Sequence, residues 1–144
     1  MSQPVSPPLP IPAVIAVVVR EDQVLLVRRA NPPDAGLWGF PGGKIAFGET
    51  VAAAALRELA EETTVSAEAG DVMTSLDVFE AGPDGALHRH FILIAVLCRW
   101  SAGEPLAGDD ALEAAWFGLD AIVRGAASMS ADVDTIARRA LTQN

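Results

Sequence analysis

A chain of 144 residues is the size of one ordinary domain, and a hydrophobic content of 51% excludes disorder over most of its length. Nineteen acidic residues against ten basic leave a formal charge of −9, which repels polyanions and argues against nucleic acid as a partner. The single Cys98 rules out a disulfide within the chain and suits a reducing, cytoplasmic setting.

The amino-terminal stretch MSQPVSPPLPIPAVIAVVV has no positively charged lead, so it does not read as a signal peptide. Its apolar run is also far shorter than the roughly 20 residues that span a bilayer. We expect no membrane association, a flexible Pro-rich lead over residues 1–12 and a single domain over 13–144. AVIAVVVR and VLLVRRA, separated by EDQ, predict two strands joined by a short turn. In NPPDAGLWGFPGG, proline and glycine forbid regular structure for a dozen residues, while Trp38 and Phe40 imply an ordered loop. From Thr50, a plausible N-cap, an alanine-rich run predicts a helix. On its wheel Ala52, Leu56, Leu59 and Thr63 share a side that can pack inward, while Glu58, Glu61 and Glu62 share an arc of about 100° elsewhere. DVMTSLDVFEA and LHRHFILIAVLCRW predict two strands around the turn GPDG, and SAGEPLAGDD a polar loop. ALEAAWFGL is ambiguous between strand and helix, DAIV begins a short helix, and SADVDTIARRALT predicts a carboxyl-terminal helix. Together these predict an α+β layered domain.

The three glutamates sit at the carboxyl end of their helix, where the dipole favours cations. Two like charges about 5 Å apart repel by roughly 3 kcal/mol at an effective dielectric of 20. A solvated acidic face would tolerate this; in a cleft the carboxylates must protonate or bind a cation. Hard divalent cations prefer such oxygens, and Glu58 and Glu62, four residues apart, can point at one ion with Glu61 in reach.

The spacing decides between the two. From Gly43 the chain runs five residues to Glu49, seven more to Arg57-Glu58-Leu59-Ala60-Glu61-Glu62, then two more to Val65. This resembles the signature of the Nudix hydrolases, G-x5-E-x7-R-E-U-x-E-E-x-G-U, and WGFPGG resembles the usual lead into it. With each residue type near 7% of usage, chance agreement at the six polar or glycine positions is on the order of one in ten million per window. One position departs: Thr64 stands where the signature has glycine, and a β-branched residue adopts a left-handed conformation poorly. We therefore expect the helix to end differently here with activity retained.

The resemblance implies an α/β/α sandwich with a mixed β-sheet between helices. It implies a hydrolase that uses Mg2+ or Mn2+ to activate water against a nucleoside diphosphate linked to another group. It also implies Glu58, Glu61 and Glu62 as metal ligands, the Gly42 carbonyl as a further one, and Arg57 with Glu49 as the pair that orients the glutamates. AGDDALEAAWF is similar to the corresponding segment of the ADP-ribose pyrophosphatase-like group, implying ADP-ribose or a related nucleoside diphosphate sugar. A pyrophosphohydrolase of (modified) nucleoside triphosphates and a non-catalytic nucleotide-binding regulator are the alternatives, and the resemblance allows a homodimer.

Other residues have two readings. Arg28 and Arg29 end a strand beside the loop and either grip phosphate or face solvent. His88 and His90 share a strand face and either line the cleft, His90 then touching substrate, or face solvent. Trp38 and Trp116 either pack or stack on a base. Glu61, Asp109, Asp110 and Glu113 are the candidates for a general base.

Overall fold

Val14, Ala16 and Val18 point to one side of the first strand, Val17 and Val19 to the other, and all five are buried. A strand apolar on both faces has to be central, with a layer on either side. In the computed structural model, which describes residues 8–32 and 34–142, this strand is β1 (Ile11–Arg20). It pairs in parallel with β6 (Leu87–Ala102), from Ile11 opposite Phe91 to Val19 opposite Arg99. It also meets β2 (Gln23–Arg29) and β4 (Gly42–Lys44), both antiparallel. β2 carries β3 (Trp38–Gly39) and β7 (Ala111–Gly118), while β5 (Ser66–Ala81) forms the far edge beside β6.

Helix α1 (Val51–Thr63) covers one face, packing Ala54, Ala55 and Leu59 on Val14, Ala16, Val18, Leu25 and Val96. Helices α2 (Leu119–Val123) and α3 (Val133–Thr142) cover the other, where Ile122, Val133, Ile136, Ala137 and Ala140 meet Val17, Val19, Val24 and Leu26. The result is the expected α/β/α sandwich around a mixed sheet.

Several expectations need correcting. β1 starts at Ile11, so Ile11 and Pro12 belong to the sheet rather than to the lead; residues 1–7 of that lead lie outside the described residues. The Pro/Gly loop contains β3 and β4: the two glycines of β4 pair with Val14 and Ile15, where a Cβ on Gly42 would collide with the Val14 carbonyl oxygen. Ala52 is exposed, and Ala54 and Ala55 take the buried side of α1 with Leu59 and Thr63. The ambiguous segment 111–118 is a strand, drawn onto β2 by a ladder from Gln23 to Arg29.

Helix α1 also ends in the ordinary way despite Thr64. That residue adopts φ 62°, ψ 5°, and its N–H donates to the Ala60 carbonyl at 3.0 Å. Its neighbours outweigh the strain of a β-branched left-handed residue: Val65 is buried, and its N–H donates to Thr63 Oγ1 at 3.1 Å.

Candidate active site

Thr50 starts α1 by accepting the Ala53 N–H on its Oγ1 at 3.0 Å, which sets the phase of every later residue on the helix. Arg57 then lies over the loop that joins β4 to α1. It donates from Nε to Glu49 Oε2 at 2.6 Å, and from Nη2 to Glu49 Oε1 at 2.9 Å and the Lys44 carbonyl at 3.1 Å. Glu49 in turn accepts the Ala46 N–H at 3.0 Å. Hydrogen bonding to Arg57, aided by that amide, lowers the Glu49 carboxyl to about 2. The same bonds, with Glu49 first and Glu58 second, raise the Arg57 guanidinium.

Nη1 of Arg57 points the other way, to Glu58 Oε1 at 2.8 Å and more loosely to Glu61 Oε2 at 3.4 Å. Glu58 is 13% exposed and packs over β4, where a Cβ on Gly43 would lie 2.5 Å from its carboxyl. Burial raises the Glu58 carboxyl against the pull of Arg57, with Glu61 and Asp109 adding repulsion. Glu62 is more extreme. Burial, then the charge of Glu58, push it up to about 8, with Asp110 adding to the rise, although the Gly42 N–H and Arg29 stabilise its anion.

Asp109 and Asp110 arrive on the segment between β6 and β7, which folds across the carboxyl end of α1. The Leu106 N–H donates to the Thr63 carbonyl and the Gly108 N–H to the Glu62 carbonyl, each at 2.9 Å. These bonds satisfy helix-end acceptors that would otherwise lack partners. Gly108 permits the approach, since a Cβ there would stand 2.8 Å from the Glu61 carbonyl oxygen.

The structure thus brings Glu49, Arg57, Glu58, Glu61, Glu62, Gly42, Arg29, Asp109 and Asp110 together along α1, from its middle to its carboxyl end. Other candidates fall elsewhere. Arg28 donates to the Gly36 carbonyl at 3.1 Å and to Glu113 at 3.3 Å, so both Arg28 and Glu113 are engaged apart from the helix glutamates. Trp38 packs edge-on against Phe117 at 4.9 Å, in the core on the α3 side. Trp116 packs in the core under α1. His90 lies where β6 has passed the start of β1; it bonds Asp77 at 2.9 Å and stacks on Phe79 at 4.6 Å. Sequence reasoning gave the Lys44 carbonyl no role and took Gly43 only as the first position of the motif; its missing side chain is what makes room for the Glu58 carboxyl.

Among the described residues, no three acidic, histidine or cysteine side chains converge into a ready-made cation cage. Arg57 engages Glu58 and Glu61, and neither bonds Glu62 in this arrangement. The donor chemistry still fits a hard dication: the oxygens are carboxylate and carbonyl, and Glu58 and Glu62, both half-buried, are raised together by desolvation and by charge repulsion. Among the described residues no helix is long and apolar enough to cross a membrane.

Comparison with known proteins matches residues 9–139 to the NUDIX domain family model. The chain is 37% identical over 111 residues to the ADP-ribose pyrophosphatase of Methanocaldococcus jannaschii, covering 77% of this chain and 63% of that relative. It is 42% identical over 97 residues to a Mycobacterium tuberculosis protein provisionally named 8-oxo-dGTP diphosphatase 2, covering 67% and 65%. The chain therefore spans just under two thirds of the length of these relatives. A bifunctional NMN adenylyltransferase/ADP ribose pyrophosphatase from Francisella tularensis, solved with AMP and a manganese ion, superposes with a TM-score of 0.71 at 28% identity over 94% of this chain and 42% of that one.

Proposed function

This chain belongs to the Nudix hydrolase family, and from that premise we propose that it hydrolyses the pyrophosphate bond of a nucleoside diphosphate linked to a sugar, with ADP-ribose as the leading substrate. The observation that carries the reading is the gathering of Glu58, Glu61 and Glu62 under the 103–110 segment and over the glycines of β4, where the half-buried Glu62 is raised to about 8. A purely structural acid in that position would be a liability. A perturbed carboxylate flanked by others in this motif marks a functional site.

In this reading Glu58, Glu61, Glu62 and the Gly42 carbonyl are the groups that would hold Mg2+ or Mn2+. A bound dication would neutralise the pyrophosphate and lower the pKa of the attacking water. The chain's own residues do the rest. Glu62 would have to be ionised to ligate, because only the carboxylate binds a cation. Arg57 keeps Glu49 and Glu58 in place, and Arg29 offers a guanidinium beside Glu62 for a phosphate oxygen. Asp109 and Asp110 border the glutamates and serve better than Glu113 as candidate bases. The free, buried Cys98, raised to about 11 by burial, fits a reducing cytoplasmic setting.

The Mycobacterium tuberculosis relative favours a second reading, a nucleoside triphosphate as substrate. Product analysis separates the two: AMP with ribose 5-phosphate supports the first, a nucleoside monophosphate with pyrophosphate the second. Glu62→Gln is expected to lower kcat by about a hundredfold or more with the fold intact, as the loss of a principal electrostatic contact to the reaction. Near-normal turnover in that variant rejects the site, and no turnover of any nucleotide by the parent protein points to a regulator that only binds.

A further inference from the structure

Arg20 is the last residue of β1 and continues the face of Val14, Ala16 and Val18 toward the end of the sheet. An arginine there has no apolar role, yet its contacts are specific. Its guanidinium lies 4.3 Å from the centroid of the Trp100 ring and 5.4 Å from that of Trp116. Nη1 donates to Glu104 Oε1 at 2.9 Å, and Trp100 Nε1 donates to the Gly103 carbonyl at 2.8 Å. Both partners open the 103–110 segment, which goes on to cap α1 and bring in Asp109 and Asp110. Its far end is pinned by the Ala30 N–H, which donates to the Asp110 carbonyl at 3.0 Å.

No residue of 103–110 is buried, and Leu106 is 68% exposed, so hydrophobic packing does not hold this segment. An exposed ion pair such as Arg20–Glu104 is weak by itself. Here the same guanidinium also stacks on indole, which adds to the pair. Beyond the clamp, Asp109 adopts φ 52°, a left-handed conformation that persists only where the surroundings impose it.

We propose that Arg20 is a positioning residue: through Trp100 and Glu104 it latches the 103–110 segment onto the end of α1, and so fixes Asp109 and Asp110 against the glutamates. The latch rests on the functional reading for its effect on turnover, but its hold on the segment can be measured without it.

Two measurements test the latch. In amide hydrogen exchange on the ligand-free protein, Arg20→Ala is expected to speed exchange at Leu106 and Gly108 at least about tenfold while the amides of α3 stay unchanged. Glu104→Ala, which removes the acceptor of the Arg20 N–H from the loop side, should do the same and stands in if Arg20→Ala fails to fold. Unchanged exchange in a folded variant overturns the proposal. In a double-mutant cycle, Arg20→Ala is expected to lower kcat about tenfold, with the substrate KM within about threefold, and to lose most of that effect in an Asp109→Asn/Asp110→Asn background. Equal losses in both backgrounds overturn it, since Arg20 would then act by another route. If the parent protein hydrolyses no nucleotide while the exchange response appears, the latch stands and the functional reading falls.

Discussion

Glu62 and Thr64 sit two residues apart and each breaks a local rule. Glu62 half-buries a charge-bearing group beside a like one, which pushes its carboxyl up to about 8. Thr64 places a β-branched residue at φ 62° to close α1. The motif's glycine position showed that a left-handed residue belongs there; the expectation that threonine would change the helix end failed, because Val65 and the capping bonds outweigh its preference. Thr64→Gly is therefore expected to stabilise the protein by about 1 kcal/mol, the cost of a left-handed non-glycine residue partly offset by a freer unfolded chain. Urea denaturation checks this, and a loss of stability would mean the threonine side chain makes a contact of its own.

At the scale of elements, α1 is held by polar contacts at both ends and by packing in the middle. Arg57 ties its first half to the β4–α1 loop through two bonds to Glu49 and one to the Lys44 carbonyl. A lysine ammonium cannot reproduce that fork. Arg57→Lys is expected to lose about 1–2 kcal/mol in urea denaturation, the scale of charged hydrogen bonds. A variant as stable as the parent would show the fork to be idle. The helix and its acidic arc were legible from period and spacing alone. Legible too was the pairing of Arg57 with Glu49, although only by resemblance. The short strands β3 and β4 were not, because glycine and proline mask pairing that depends on partners distant in sequence. Nor was the inward turn of Ala54 and Ala55 in place of Ala52, which depends on the angle at which α1 meets the sheet.

For the whole molecule, the shifted carboxyls set how stability responds to pH. Glu62 has its folded value near 8 and an ordinary value of 4.5, so between those limits the native state holds more protons than the unfolded chain. Stability therefore falls as pH rises through that window. Glu49 acts oppositely: its value near 2 makes stability fall as pH drops from 4.5 toward 2. Metal-free protein should be more stable at pH 5 than at pH 8. Glu62→Gln should flatten that slope and raise the pH 8 melting temperature by about 5 °C, given that 1 kcal/mol moves Tm by roughly 2–4 °C at this size. Calorimetry in EDTA at both pH values checks it, and an unchanged slope in the variant would place the titrating group elsewhere. The amino-acid sequence by itself determined the helix, its acids and the family, because period and spacing are local properties of a chain. Only the tertiary structure decided which of those acids are shielded from water, which arginine reaches them and which loop lies over them. Burial and field come from segments far apart in sequence, and no local pattern records their distance.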